Sequence, residues 1–196
     1  DMQTGENQKH VIALLGSPRK KGNSTVLAKQ IIRGVESIGA KVETVYLNGI
    51  NIRPCQGCYA CKKKNSTGCA VDDDMQSLYP KLVESDAWII ASPVYWFSMS
   101  AQTKIFMDRC FALWNEDLEI NPMHKKRIAI AMSYGDSDPF NSGCVNALRS
   151  FQDAYRYAGA EIVGMVYGSA DEPGEIFSNA ELMSQAKEIG KKLATY

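Results

Sequence analysis

Two hydrophobic periods alternate along this chain. Residues 11–15, VIALL, are a continuous apolar run of strand length, the pattern of a strand buried on both faces of a parallel sheet. Leu27, Ile31, Val35 and Ile38 then recur on one helical face, and Gly39 is placed to end that helix. Residues 42–47 mix β-branched, aromatic and polar side chains as an outer strand does. Asp72, Asp73 and Asp74 open a helix whose Met75, Leu78, Tyr79, Leu82 and Val83 share a stripe. Carboxylates there complement the helix dipole and read as a cap rather than a cation site. Residues 87–91 are the next buried strand, and a helix of about four turns follows over 101–114. Residues 115–126 form a polar excursion loop, and 127–132 a third buried strand. A helix over 143–158 carries Val145, Leu148, Phe151 and Tyr155 on one side, with Gly159 as its stop. A strand at 162–167 and a helix at 181–193 complete the pattern.

Strands alternating with helices imply right-handed βαβ units and a parallel sheet covered on both faces. Five such units predict an α/β fold of flavodoxin-like, three-layer α/β/α type, with a five-stranded parallel sheet in the order 2-1-3-4-5. Residues 1–9 read as a disordered polar tail, in which Asp1-Met2 looks like a scar ahead of the native start. Residues 10–196 read as one domain with a cysteine-rich insertion at 54–71. In such sheets ligands bind beyond the carboxyl ends of the strands, at the switch point. That gathers the loops after Leu15, Ala91 and Met132 around one crevice.

The first of these loops ends a strand at Gly16 and enters a helix through Gly22-Asn23-Ser24-Thr25, so it presents backbone N–H groups to an anion. A nucleoside-triphosphate loop of the form G-x-x-x-x-G-K-[ST] is excluded, because Gly16 and Gly22 stand one residue too far apart and Asn23 replaces the lysine. The dinucleotide signature G-x-G-x-x-G is also absent. What remains is a nest of donors, Ser17, Asn23, Ser24 and Thr25, with Arg19 as the charge; this set suits a phosphate monoester. The second loop, with Ser92, Pro93, Val94, Tyr95, Trp96 and Phe97, is a proline-stiffened aromatic turn suited to the edge and face of a flat ring. Ser133, Tyr134, Gly135 and Asp136 close the third side. A phosphate at one end and a planar heterocycle at the other describe FMN.

Composition removes other classes. Net charge is zero, which leaves no electrostatic footprint for nucleic acid or an anionic membrane. No apolar run approaches a membrane span and no signal peptide is visible, so a cytoplasmic protein is expected. The two histidines, His10 and His124, lie away from the strand-end loops, which argues against Ser-His-Asp or Cys-His catalysis. A flavin supplies its own hydride and electron chemistry, so no side chain is assigned a catalytic role. Six cysteines in such a chain point to thiolate chemistry rather than a disulfide framework.

The segments GSPRKKGNST at 16–25 and SPVYW at 92–96, with the K-x-x-x-D-R from Lys104 to Arg109, resemble the NADPH-dependent FMN reductase family. The cysteine block is similar to that of its iron-sulfur flavoprotein branch. The resemblance implies non-covalent FMN held at the loops above and NAD(P)H as electron donor. It also implies small-molecule acceptors such as quinones, flavins or oxygen, and a homodimer or homotetramer. Cys55-x2-Cys58-x2-Cys61-x7-Cys69 looks like the compact motif that binds [4Fe-4S] in that branch. Overlapping C-x2-C pairs suit a cubane better than zinc, which takes two separated pairs. The long last gap, the Lys62-Lys63-Lys64 run and the lack of a proline after Cys69 depart from ferredoxin motifs. The thiols therefore stay open between a cluster, zinc and bare or redox-active cysteines. With a cluster, the alternative function is an electron carrier between ferredoxin and an acceptor. Cys110 and Cys144 read as packing residues.

Overall fold

A computed structural model of the chain describes residues 8–195. The tail expected over 1–9 therefore falls, for residues 1–7, outside the described residues. In order, the elements are β1 (His10–Leu15), α1 (Asn23–Glu36), β2 (Lys41–Tyr46), α2 (Met75–Glu84), β3 (Ala87–Tyr95), β4 (Ser98–Met99), α3 (Ala101–Arg109), β5 (Arg127–Tyr134), α4 (Cys144–Tyr157), β6 (Glu161–Ser169) and α5 (Ala180–Ala194). The sheet runs β2-β1-β3-β5-β6, all parallel, with the two-residue β4 pairing antiparallel to β3 off the end. Leaving β4 out of the count, this is the expected 2-1-3-4-5 order.

Period-2 alternation on the central strands sorts the core into two halves. Ile12, Leu14, Trp88, Ile90, Ile128, Ile130 and Met132 face α2, α3 and α4. Val11, Ala13, Leu15, Ile89, Ala91, Ala129 and Ala131 face α1 and α5. The small alanines on that second face suit two helices that touch each other closely. A Cβ added at Gly34 would fall on the Lys187 carbonyl, and one at Gly190 on the Ile31 carbonyl.

Four local expectations are corrected. The first helix ends at Glu36, so Ile38 lies exposed past the stripe, with Gly39 at φ +86°. The helix after β4 stops at Arg109 and tightens into a 3-10 turn, Cys110–Ala112, instead of running to Trp114. Val83 faces solvent rather than the stripe. Residues 92–95 belong to β3 rather than to a turn: Ser92 pairs with Met132 and Pro93 with Ser133. Proline is tolerated there because β1 ends opposite Ala91, so no ladder bond is lost on that edge. Among the described residues no helix is long and apolar enough to cross a membrane.

Candidate functional site

The carboxyl ends of β1, β3 and β5 meet as the topology requires, and a hydroxyl network fixes them to one another. Ser100, the N-cap of α3, donates to the Gly16 carbonyl at 2.7 Å and accepts from the Thr103 amide at 3.3 Å. Its own amide donates to Ser92 Oγ at 2.9 Å, and the Gly16 amide donates to the Ala91 carbonyl at 2.8 Å. Any side chain at Gly16 would fall on Thr103 Oγ1, so only glycine lets the chain leave β1 here.

Above this network lies a depression of about 170 Å³. Ser17, Arg19, Asn23, Ser24, Pro93, Val94, Tyr95, Ser133, Tyr134 and Gly135 line it, all expected from the sequence. Gly22 of the anion loop lines it as well, and Ala170, Asp171 and Pro173, which carry no motif, join them. The loop after β6 carries no motif, and its place in the wall follows only from the strand order. Thr25, Trp96 and Asp136 do not line the depression. Thr25 is buried beneath the loop, its hydroxyl donating to the Arg19 carbonyl at 3.3 Å. Asp136 turns its carboxylate to the Ser137 amide at 2.5 Å. Trp96 is 93% exposed.

Two residues in the depression behave differently. Asn23 is committed to the fold: its Nδ2 donates to the Glu172 carbonyl at 2.9 Å, and its Oδ1 accepts from the Ile176 amide at 3.2 Å. That stitches the loop after β6 to the N-terminus of α1. Ser24 is 1% exposed, and its hydroxyl has no hydrogen-bond partner. Buried hydroxyls are rarely left so, and this one lies in the floor of a depression at a helix N-terminus. At Gly22 a Cβ would come within 3.0 Å of Ser17 Oγ and 3.2 Å of the Arg19 carbonyl, so a side chain would close the cradle. The phosphate of FMN fits this donor set: one orphaned hydroxyl, one arginine, and backbone amides kept accessible by a glycine.

Beyond Tyr95 the chain reverses through Trp96 and Phe97, at φ +47° and +67°, to pair Ser98 with Tyr95. A two-residue hairpin of this hand normally takes asparagine and glycine. Here two aromatics hold the strained conformation, their backbone packed against Gly143 and tied by Asn146 Nδ2 to the Phe97 carbonyl at 3.1 Å.

The cysteine segment is elsewhere. Cys55, Cys58, Cys61 and Cys69 line a larger cavity, about 450 Å³, on the α3 and α4 side, which shares no lining residue with the strand-end depression. The two are separate because the segment leaves the end of β2 and packs against the end of α3. The depression, although smaller, is the one that holds the orphaned hydroxyl at the sheet's switch point.

A clasp closes the neck of the segment. Arg109, its side chain fully buried, pairs through Nη1 with Asp73 Oδ2 at 2.5 Å and through Nη2 with Asp73 Oδ1 at 3.2 Å. It also donates to the Arg53 carbonyl at 2.8 Å and the Val71 carbonyl at 3.5 Å. Asp73 accepts from the amides of Arg53 and Met75 as well, so its capping role holds but is secondary to the ion pair. Burial would raise the Asp73 pKa, but Arg109 and those amides outweigh it and hold the carboxyl below the usual carboxylate range.

The thiols differ among themselves. Burial raises Cys61 above the usual thiol value despite the Lys62 charge. Burial also acts on Cys69, but the Val71 amide, the Tyr79 hydroxyl and Arg109 reverse it and lower its pKa. Cys110 and Cys144 are buried and both are pushed up to about 12 by desolvation, as packing residues should be. None of the six is in a disulfide. Four thiols around one cavity have the composition of an iron-sulfur site, but among the described residues no three Cys, His, Asp or Glu side chains stand together as a metal-holding group.

A five-stranded parallel sheet in this order, with an anion-type loop and an aromatic turn at the switch point, defines a flavodoxin-like α/β protein. The chain belongs to the NADPH-dependent FMN reductase family, whose profile matches residues 10–171, and is thereby an oxidoreductase. An iron-sulfur flavoprotein of Methanocaldococcus jannaschii is 29% identical over 192 residues, covering 94% of this chain and 95% of that protein. An iron-sulfur flavoprotein of Archaeoglobus fulgidus is 30% identical over 183 residues, covering 93% of this chain and 78% of that one. Among solved structures, an NAD(P)H:quinone oxidoreductase from Methanothermobacter marburgensis superposes with a TM-score of 0.73 at 19% identity, over 96% of this chain and 98% of that one.

Proposed function

We propose that the chain is an FMN-dependent NAD(P)H reductase that seats FMN in the strand-end depression and passes electrons to a small acceptor such as a quinone, another flavin or oxygen. The observation that carries this is the buried, unpartnered Ser24 hydroxyl beside Arg19, facing Tyr95 across the switch point. Bound FMN would supply hydride acceptance from a nicotinamide and electron release to the acceptor. Ser24 Oγ would donate a hydrogen bond to a phosphate oxygen, and Arg19 would neutralise the charge that the α1 N-terminus also favours. Pro93, Val94, Tyr95, Ser133, Tyr134 and Gly135, which line the same depression, would border the ring. Asn23 and Thr25 act one step back, holding the loop in shape. Purified protein should carry or take up one equivalent of FMN and oxidise NADH or NADPH with menadione as acceptor. Absence of flavin binding would refute the reading.

A second reading rests on the four cysteines around one cavity and on the names of the relatives. It is a [4Fe-4S] flavoprotein that relays electrons from a partner such as ferredoxin without a small organic substrate. Iron and acid-labile sulfide assays after anaerobic purification decide it, since protein without stoichiometric iron would remove this reading and leave the first intact.

A further inference from the structure

The 450 Å³ cavity contains more than cysteines. Its volume is that of a small-molecule site. Small residues, Gly57, Ala70, Ala112, Ala154 and Ala158, leave the space, while aromatic rings flank it. Phe111 stacks on Trp114 with centroids 5.9 Å apart and planes 26° apart, and Trp114 continues onto Tyr157 at 5.1 Å and 34°. Tyr59 meets the edge of Phe111 from the cysteine segment at 5.9 Å. This wall is held in place by Lys62, whose ammonium donates to the Phe111 and Trp114 carbonyls and lies 4.4 Å from the Phe111 ring centroid. Rings so fixed lose little freedom when a flat ligand stacks on them.

Two polar groups on residues that line the cavity are unsatisfied, the Tyr155 hydroxyl and one donor of Arg109. Four of the five N–H donors of Arg109 are committed to Asp73, Arg53 and Val71. The fifth, on Nε, is buried without an acceptor. A buried guanidinium donor without a partner favours a ligand that brings an oxygen. Apolar surroundings, stacked rings and a single cationic donor together select a planar aromatic molecule with a carbonyl oxygen.

We propose that this cavity is a second ligand site, remote from the strand-end depression, that takes a planar aromatic carbonyl compound of the quinone class. Its ring lies against Phe111 and Trp114 and its oxygen accepts from Arg109 Nε. The site goes beyond the FMN reading and does not depend on it, because the two sets of lining residues do not overlap; it competes with a cluster on the four cysteines, which line the same cavity.

The test uses the full chain as isolated, saturated with FMN, and 9,10-anthraquinone-2-sulfonate as probe, whose quinone ring has no open carbon for thiol addition. Tryptophan emission reports the cavity through Trp114, and flavin absorbance reports the depression. The expected result is a saturable quench that leaves the flavin spectrum unchanged. Ala154→Phe, which fills the cavity, should weaken that event by at least about tenfold while FMN affinity is kept. Phe111→Ala, which removes one ring without filling space, should weaken it by roughly threefold to tenfold. Lack of any flavin-silent quench up to about 1 mM probe overturns the proposal, as does a quench that neither variant changes. If the probe fails to bind and both variants instead lower the sedimentation coefficient, the cavity belongs to a contact between copies of the chain, which also overturns it. If FMN does not bind at all, the quench is still read, so the two proposals fail separately.

Discussion

The strand-end depression and the cysteine cavity are built in opposite ways. The depression is made of short segments that begin where strands end, and its parts are positioned by backbone topology and by the Ser92 and Ser100 hydroxyls that tie β3 and α3 to Gly16. The cysteine cavity sits on a long irregular segment with one 3-10 turn, Ala60–Lys62, whose neck is closed by a buried ion pair between residues far apart in the chain. The first site inherits its rigidity from the sheet. The second depends on Arg109 and Asp73. The fold can therefore hold its cofactor loop constant while the cysteine segment changes its contents.

The sharpest way to break that contrast is Arg109→Ala. It leaves the Asp73 carboxylate buried and unpaired, and should cost about 3–5 kcal/mol in denaturant unfolding or release the segment locally. Hydrogen exchange over residues 51–74 should rise while FMN affinity stays within about twofold of wild type. An equal loss at both sites would mean that they are one cooperative unit. Ser24→Ala probes the other region. It removes a hydroxyl that bonds nothing in the chain, so folding stability should hold or rise slightly. The FMN dissociation constant should increase by about tenfold to a hundredfold, as for a hydrogen bond to a charged group.

Acid should separate the regions too. The folded Asp73 pKa lies below its unfolded value, so the clasp's contribution is present above the ordinary carboxylate range and is lost as pH falls through the depressed value. Exchange protection of residues 51–74 should therefore survive through the usual carboxylate range and disappear beneath it, as read by mass spectrometry across a pH series. The smallest effect concerns the thiols. With Cys69 lowered and Cys61 raised, iodoacetamide should label Cys69 at lower pH than Cys61 in metal-free protein, read by peptide mapping.

The same contrast explains what the sequence disclosed. Buried strands announced themselves as apolar runs, and the strand order follows from βαβ handedness, so the loops after Leu15 and Met132 were legible with their contents. The loop after β6 was not, because Ala170, Asp171 and Pro173 carry no pattern and reach the depression only through strand order. Asn23 and Thr25 were legible as polar loop residues, but polarity does not reveal whether a side chain faces a ligand or the neighbouring loop. Asp73 looked like one of three capping carboxylates, and nothing local distinguishes it from Asp72 or Asp74. Its partner lies 36 residues on, at the end of α3. The clasp was therefore invisible, and so was the separation of the cysteines from the crevice.

If residues 17–24 form a phosphate cradle for FMN, fluorescence titrations of flavin-free protein should separate FMN from riboflavin. Wild type should bind FMN at least about tenfold more tightly than riboflavin, and Ser24→Ala should shrink that ratio while leaving riboflavin affinity unchanged. Equal affinities for the two flavins in wild type, or a ratio untouched by Ser24→Ala, would contradict the account.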